Sequence, residues 1–351
     1  MDPLQLLDPG GNLHDDPEWT LDVTPELCRD LYRRMRIARS LDSAALALQR
    51  QGELGLWLQS LGQEAAQVGS ITALRETDHV FPSYREHAAA LCRGITPAEL
   101  LVQWRGNRHS GWDPQQYRFH IYTLVLAAQL PHATGYAMGV QRDGADEIVA
   151  VYFGDGAASE GEANEAFNWA AAADVPLLFF CQNNHWAIST PVRTQMRAPL
   201  FQRARGFGLD AYRVDGNDVL AVHAVTRTVA DRIRAGGGPA LIEAVTYRMA
   251  GHSTSDDPDR YRTVSDVDAW SLRDPIARLE ALLVRQGWLD GDQRAAVEAE
   301  CTALAEQTRT ACRELPLGEL SDLFSAVLAE ETPLLAGERR QFQKLAQSYQ
   351  D

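Results

Sequence analysis

The chain has 351 residues, 45% of them hydrophobic and 23% charged, and its 33 basic against 48 acidic side chains leave a formal charge of −15. So acidic a chain repels phosphate backbones and anionic lipid, which argues against nucleic-acid and membrane-surface binding; an anionic ligand would need a local site that works against the overall field. Cys28, Cys92, Cys181, Cys301 and Cys312 form no CxxC pair, so a reducing, cytoplasmic setting with buried thiols is expected.

In chain order, residues 1–23 are acidic and rich in Pro and Gly. They lack the basic start and apolar stretch of a targeting segment and read as an extended N-terminal arm. Thr24-Pro25-Glu26 opens a helix, with Thr as cap and Pro in the first turn, that should run to about Gln51 and stop at Gly52. Short helices are predicted over Gly62–Leu74 and Arg85–Arg93, and Thr96-Pro97-Ala98-Glu99 is a capping box that starts another. The centre changes character. Apolar, β-favouring runs at Glu147–Phe153, Pro176–Gln182, Ala211–Val214 and Ala240–Tyr247 alternate with helical spacing at Ser159–Ala173 and Asp218–Ala235. Strands without polar alternation, separated by helices, indicate an α/β fold: a parallel sheet flanked by helices on both faces. From Ser265 onward the chain reads as charged, outer helices. No linker, internal repeat or apolar run long enough to span a membrane interrupts it, so residues 24–351 are expected to form a single domain with C-terminal helices.

In such a sheet ligands sit at the carboxyl ends of the strands. One strand end carries Gly154-Asp155-Gly156 and the next Asn183-Asn184-His185-Trp186; Asp155 and Asn184 are 184 − 155 = 29 residues apart. That distance fits one strand–helix–strand crossover, which would bring both side chains to one sheet edge. A hard cation such as Mg²⁺ takes oxygen ligands and shares them with phosphates. The Asp155 carboxylate, the Asn184 amide oxygen and the Trp186 carbonyl supply three. Gly154 and Gly156 let backbone N–H groups approach a phosphate, and Ala157 and Ser159 lead into a helix N-terminus. A lone Gly-Asp-Gly is more often a tight βα turn; the Asn pair one crossover later is what favours a metal-bridged diphosphate.

The block Gly154–Thr190 resembles the thiamine diphosphate motif, which begins Gly-Asp-Gly and ends Asn-Asn. The wider resemblance, over residues 24–345, is to the α subunit of the decarboxylating component of 2-oxoacid dehydrogenase complexes, closest to the branched-chain type. It is carried by Val80–Glu86 (VFPSYRE), Phe153–Thr190, Val214–Val219 (VDGNDV) and Thr246–Arg262 (TYRMAGHSTSDDPDRYR). The resemblance implies a thiamine diphosphate-binding α/β fold with helical N- and C-terminal additions. It implies Mg²⁺ on Asp155, Asn184 and the Trp186 carbonyl, with the cofactor held by Tyr84, Arg85, Leu126, Gly154, Asp155, Gly156, Ala157, Asn184 and His252. Arg suits the diphosphate because its planar fork matches phosphate oxygens and keeps its charge. His252 would also be catalytic, steadying the substrate carboxylate or assisting acyl transfer as a group titrating near neutrality. Arg248, Asp256 and Tyr261 would order its loop, in which Ser253 matches a position phosphorylated in some relatives.

The implied reaction decarboxylates a 2-oxoacid and transfers the acyl group to a lipoyl arm on an acyltransferase component. A separate β subunit would supply the glutamate that activates the cofactor, making α2β2 the working unit. Thr123-Leu124-Val125-Leu126 departs from the Ser-Ser-Pro-Leu of many relatives, and with Ala128 it lacks hydroxyls of their monovalent-cation site. Asn107–Arg118 departs from their basic, Gly-rich segment. Three other readings are a pyruvate-specific α subunit, a non-catalytic scaffold with a degraded site, and a Mg²⁺-dependent phosphoryl-transfer enzyme. The absence of GxxxxGK[ST] counts against the last.

Overall fold

A computed structural model describes residues 2–107, 110–316, 318–319, 322–325 and 328–349. Two positions of the departing Asn107–Arg118 stretch, 108 and 109, therefore lie outside the described residues, as do several of the C-terminal segment. Among the described residues the seven strands are β1 His79–Phe81, β2 Val149–Gly154, β3 Leu177–Asn183, β4 Trp186–Ala187, β5 Thr190–Pro191, β6 Asp210–Asp215 and β7 Ala240–Val245. Five of them form one sheet in the order β1-β2-β3-β7-β6, and every neighbouring pair is parallel. β4 and β5 form a separate antiparallel hairpin.

Successive side chains of a strand point to opposite faces, and here both faces are apolar. Val149, Val151 and Phe153 of β2, with Leu177, Phe179 and Cys181 of β3, pack under the helices Gln129–Asp143 and Gly161–Ala173. Ala150, Tyr152, Leu178 and Phe180 face the other way, onto the layer that holds Val219–Arg234 and Glu64–Ala73. This double burial is why the strands read as continuous apolar runs. A third apolar cluster joins the helix Pro25–Arg50 to the C-terminal helix Pro275–Arg285 and to Leu7 of the N-terminal segment. The long helix Gly291–Glu314 lies along Pro25–Arg50, tied by the ion pairs Arg33–Glu300 and Arg36–Glu298.

The helix starts at Thr24 and Thr96 follow their cap chemistry: Thr24 accepts from Leu27 N–H, and Thr96 and Glu99 form the reciprocal box. Among the elements that differ from the sequence expectation are three with a plain physical reason. β1 is only three residues long, too short for a periodicity to show. The helix Gln129–Asp143 contains Pro131, Gly135 and Gly139, poor helix formers; the proline falls in the first turn, where no N–H partner is needed. The predicted helix over Arg85–Arg93 begins only at His87, so Arg85 sits in the turn before it.

The N-terminal segment is stitched to the sheet edge. Leu4 exchanges backbone bonds with Arg213 and Asp215 of β6, each 2.9 Å. One oxygen of Asp218 accepts from Leu6 and Leu7 N–H at 2.7 and 2.6 Å, while the other caps the helix Val219–Arg234 through Leu220 and Ala221. Arg278 from the C-terminal helices donates two 3.0 Å bonds to Asp215. The VDGNDV block is therefore a structural junction, and none of its side chains lines the cavity described below.

Asp218→Ala should leave four N–H groups without their acceptor and destabilise the chain by about 2–4 kcal/mol. The expected readouts are a lower urea midpoint and proteolysis of residues before Thr24; an unchanged midpoint would contradict the assignment. A pH dependence also follows. Burial holds His79, His120, His185 and His223 down at about 4, and His87 at about 3, below the ordinary 6.5. Their contribution to stability is present above pH 6.5 and is lost as the pH falls toward 4, because the unfolded chain binds those protons first. Burial raises Asp42 and Asp218 to about 6, and Glu86 in the same direction; these favour the fold at low pH and lose that contribution as the pH rises through 6. The histidines outnumber the carboxylates, so the melting temperature of the ligand-free chain should fall from pH 7 to pH 5. A rise over that interval in calorimetry would contradict this balance.

Candidate functional site

The register sets the site. Gly154 pairs with Gln182 and Asn183 with Val245, so β2, β3 and β7 end level, and the turn after β1 leaves the same edge. The segments that follow these strand ends enclose a cavity of about 380 Å³, within the size range of small-molecule sites. Tyr84, Arg85, Leu126, Gly154, Asp155, Gly156, Ala157, Asn184, Trp186, His252 and Ser253 all line it. Arg248, Asp256 and Tyr261 stand behind the wall, in the network described below.

Asp155 and Asn184 touch. The Asn184 N–H donates to Asp155 Oδ1 at 3.2 Å, and Gln195 Nε2 donates to Oδ2 at 3.1 Å. The two loop tips approach so closely that a Cβ on Gly156 would lie 2.8 Å from the Ala187 Cβ, which leaves only glycine at that position. Asn184 accepts from Trp186 N–H at 3.2 Å and donates through Nδ2 to Gln63 Oε1 at 3.3 Å. His185 and Ile188 hold positive φ of 70° and 54° in this turn, a conformation that side chains other than glycine rarely adopt and that is often kept at functional loops. The Trp186 carbonyl has Arg248 Nη1 at 3.5 Å.

Asp155 is 1% exposed, and burial raises its pKa to about 6 against smaller opposing hydrogen bonds. Among the described residues no ion pair reaches it. A buried carboxylate without a cation is costly. Asp155 is therefore a hard oxygen donor with no ion-pair partner among the described residues.

Arg85 pairs with neither Glu86 nor Asp78: Asp78 is taken by Arg234 at 2.9 Å. Its guanidinium instead donates to the carbonyls of Gln59 at 2.6 Å and His252 at 2.9 Å. A guanidinium has five N–H donors, so these bonds orient the fork and leave donors for a ligand. Tyr84 lies against it, 5.6 Å from ring centroid to Cζ, and meets the His252 ring edge-on at 6.2 Å. His252 differs from the sequence expectation of a group titrating near neutrality. Burial, with Arg85 and Arg248 nearby, pulls its imidazole down to about 4, so it is neutral at pH 7.

The loop after β7 is heavily braced. Asp256 accepts from the His252 N–H at 2.6 Å and from the Tyr261 hydroxyl. Arg248, fully buried, donates to Tyr261 Oη at 2.6 Å and to Ile188 O at 2.7 Å. Arg262, which the motif reading did not single out, donates to the carbonyls of Arg248, Met249 and Ala250. Ser253 accepts from Ser255 N–H at 3.3 Å. Leu124, Leu126 and Ile188 give the cavity an apolar rim, at 59%, 37% and 55% exposure.

Sequence reasoning missed one wall altogether. Residues 57–63, between two helices, run beside the loop after β7: Thr254 N–H donates to Trp57 O at 3.0 Å, Trp57 N–H to Thr254 Oγ1 at 3.1 Å, and Thr246 Oγ1 to Gly62 O at 2.9 Å. Buried Asp42 anchors this segment through Trp57 Nε1 at 2.8 Å and Ser60 N–H at 3.1 Å. The segment supplies Leu58 and Gln63 to the cavity, beside Leu56 just before it, and the Gln59 carbonyl to Arg85. Its only local signal was a Gly-Gln-Glu run at a helix start.

The chain is 43% identical over 342 residues, 97% of its length and 93% of the relative's, to a Mycobacterium tuberculosis protein named 3-methyl-2-oxobutanoate dehydrogenase subunit alpha. Mouse and human mitochondrial proteins named 2-oxoisovalerate dehydrogenase subunit alpha are 40% and 36% identical, over 91% and 96% of this chain and 74% and 78% of theirs. The family described as the dehydrogenase E1 component matches residues 32–317. With most of its length matched and relatives this similar along nearly the whole chain, the protein belongs to the dehydrogenase E1 component family.

Proposed function

We propose that this chain is the α subunit of a branched-chain 2-oxoacid dehydrogenase, which binds Mg²⁺–thiamine diphosphate together with a β subunit, decarboxylates the 2-oxoacid and acylates the lipoyl group of an acyltransferase component. The observation that carries this reading is the meeting of Asp155 and Asn184 in one cavity with Arg85 and His252. The names of the relatives support the branched-chain substrate, and so does the apolar lining of Leu56, Leu58, Leu124, Leu126 and Ile188. The working unit in this reading is an α2β2 heterotetramer in the cytoplasm, a reducing setting that suits five unpaired cysteines.

The residues present fit the cofactor. Asp155, the Asn184 amide oxygen and the Trp186 carbonyl are the hard oxygens that Mg²⁺ takes, and the buried Asp155 carboxylate lacks the cation that burial calls for. Arg85 offers N–H donors beyond those its two carbonyls consume, for the diphosphate. Gly154, Gly156 and Ala157 leave the backbone open to phosphoryl oxygens, and Tyr84 and Leu126 bound the cavity on either side. Thiamine diphosphate, when bound, supplies a thiazolium carbon that adds to the keto group and an electron sink for the loss of CO₂.

The chain's own part is grip, orientation and exclusion of water. The buried wall around Asp155 and Arg85 keeps the local dielectric low, so each charge contact counts for more than it would in water. His252, neutral and fixed through its backbone to Asp256, offers an imidazole for the substrate carboxylate and for acyl transfer. Arg248, Asp256 and Tyr261 hold that loop in place, and a phosphate on Ser253 would add negative charge beside it and disorder it.

Asp155→Ala should abolish Mg²⁺-dependent binding of thiamine diphosphate, read by calorimetry, without lowering the melting temperature of the ligand-free chain; unchanged affinity would remove the metal site. His252→Ala should retain the cofactor yet lose acyl transfer, and full flux through the variant would take His252 out of the reaction. The isolated chain should be inactive and gain activity with 3-methyl-2-oxobutanoate, in preference to pyruvate, only when a β subunit is added. Turnover by the pure chain would contradict this division of labour.

A further inference from the structure

Gln63 belongs to no cofactor motif, yet it is hydrogen-bonded to the Asn184 side chain. It is 1% exposed, lines the cavity and stands just before the helix Glu64–Ala73. Its Oε1 accepts from Asn184 Nδ2 at 3.3 Å, while its Nε2 is buried without a partner among the described residues. The fold thus uses one end of this amide and leaves the other unused.

The backbone before it is clamped. Gly62 sits at φ +89°, where a Cβ would lie 2.6 Å from Met249 Cγ and 2.8 Å from Tyr247 O. Its N–H donates to Glu64 Oε2 at 2.9 Å, its carbonyl accepts from Thr246 Oγ1 at 2.9 Å, and Glu64 is held in turn by Arg39 at 2.8 Å. Gln63 therefore presents its acceptor from a fixed place.

The side-chain amide of Asn184 can face the metal with either end, and only the oxygen is a ligand. Its backbone N–H already touches Asp155, so an unrestrained amide has an attractive alternative: turning Nδ2 onto the Asp155 carboxylate, which would occupy both metal ligands with each other. The bond to Gln63 draws Nδ2 away from that arrangement. We propose that Gln63 is a positioning residue for the metal site, acting through its Oε1 to keep the Asn184 oxygen available to the cation. This rests on the Mg²⁺–thiamine diphosphate reading above. Because the Nε2 end has no partner, a carboxylate at position 63 should serve as well as the amide, its added charge lying near a cation.

The test compares wild type, Q63E and Q63M as assembled α/β enzyme, titrated with thiamine diphosphate at graded Mg²⁺ by calorimetry, with melting curves of the cofactor-free proteins. Q63M should need about tenfold more Mg²⁺ for half-maximal binding, the scale of one lost hydrogen bond. Its kcat at saturating Mg²⁺ and cofactor should stay within about twofold of wild type, and its cofactor-free melting temperature should be unchanged. Q63E should bind like wild type. Wild-type binding by Q63M, or a Q63E as weak as Q63M, would overturn the proposal, as would a loss of affinity in Q63M matched by a fall in cofactor-free stability. Should Q63M fail to assemble, weakened binding by Q63E alone decides against it. A wild type that does not bind Mg²⁺–thiamine diphosphate would instead sink the functional reading itself.

Discussion

The contact between the Asp155 carboxylate and the Asn184 backbone, 3.2 Å long, is the constraint on which the site depends. It exists because β2 and β3 are parallel neighbours in which Gly154, the last residue of β2, lies opposite Gln182, one residue before the end of β3. Parallel pairing requires a crossover, and the helix Gly161–Ala173 supplies it. Both faces of those strands are apolar and covered, and a one-residue slip would move each side chain to the opposite face and into the wrong layer. Core packing thus fixes where the two loop tips meet, and in the proposed reading the loop tips carry the chemistry.

Around that contact the molecule resolves a conflict between net charge and ligand. A chain of charge −15 has no general affinity for a diphosphate. What the fold does instead is bury a few charges with controlled partners. Arg85 is oriented by two backbone carbonyls rather than neutralised by a carboxylate, and Asp155 is buried without a cation. In the proposed reading both cost stability in the chain alone, and Mg²⁺ on Asp155 and a diphosphate on Arg85 would offset that cost. Polar strain of this kind is expected where a site rather than a core is being built.

How much was legible in the sequence depended on the range of the interactions. Helix starts at Thr24 and Thr96 are local cap chemistry and could be read directly. The buried strands announced themselves as apolar runs, and the spacing from Asp155 to Asn184 is fixed by one crossover. What could not be read was non-local. The segment Trp57–Gln63 has no periodicity of its own; its conformation comes from Asp42 upstream and from Thr246 and Thr254 nearly two hundred residues downstream. β1 is too short to show a pattern, and the helix Gln129–Asp143 is written in poor helix formers. The VDGNDV block helped to carry the family resemblance, but that its carboxylates serve the N-terminal segment and Arg278 could not be read from it. The neutral state of His252 arises from burial and from two arginines that only the fold brings near.

The most direct test of the central claim is a crystal structure of the assembled α/β enzyme with Mg²⁺ and thiamine diphosphate, read for the metal's ligands. The expected result is octahedral Mg²⁺ bound at about 2.0–2.1 Å by one Asp155 oxygen, the Asn184 side-chain oxygen and the Trp186 carbonyl, with diphosphate oxygens and water completing the shell. A metal bound elsewhere, or a diphosphate seated away from Asp155 and Asn184, would contradict it.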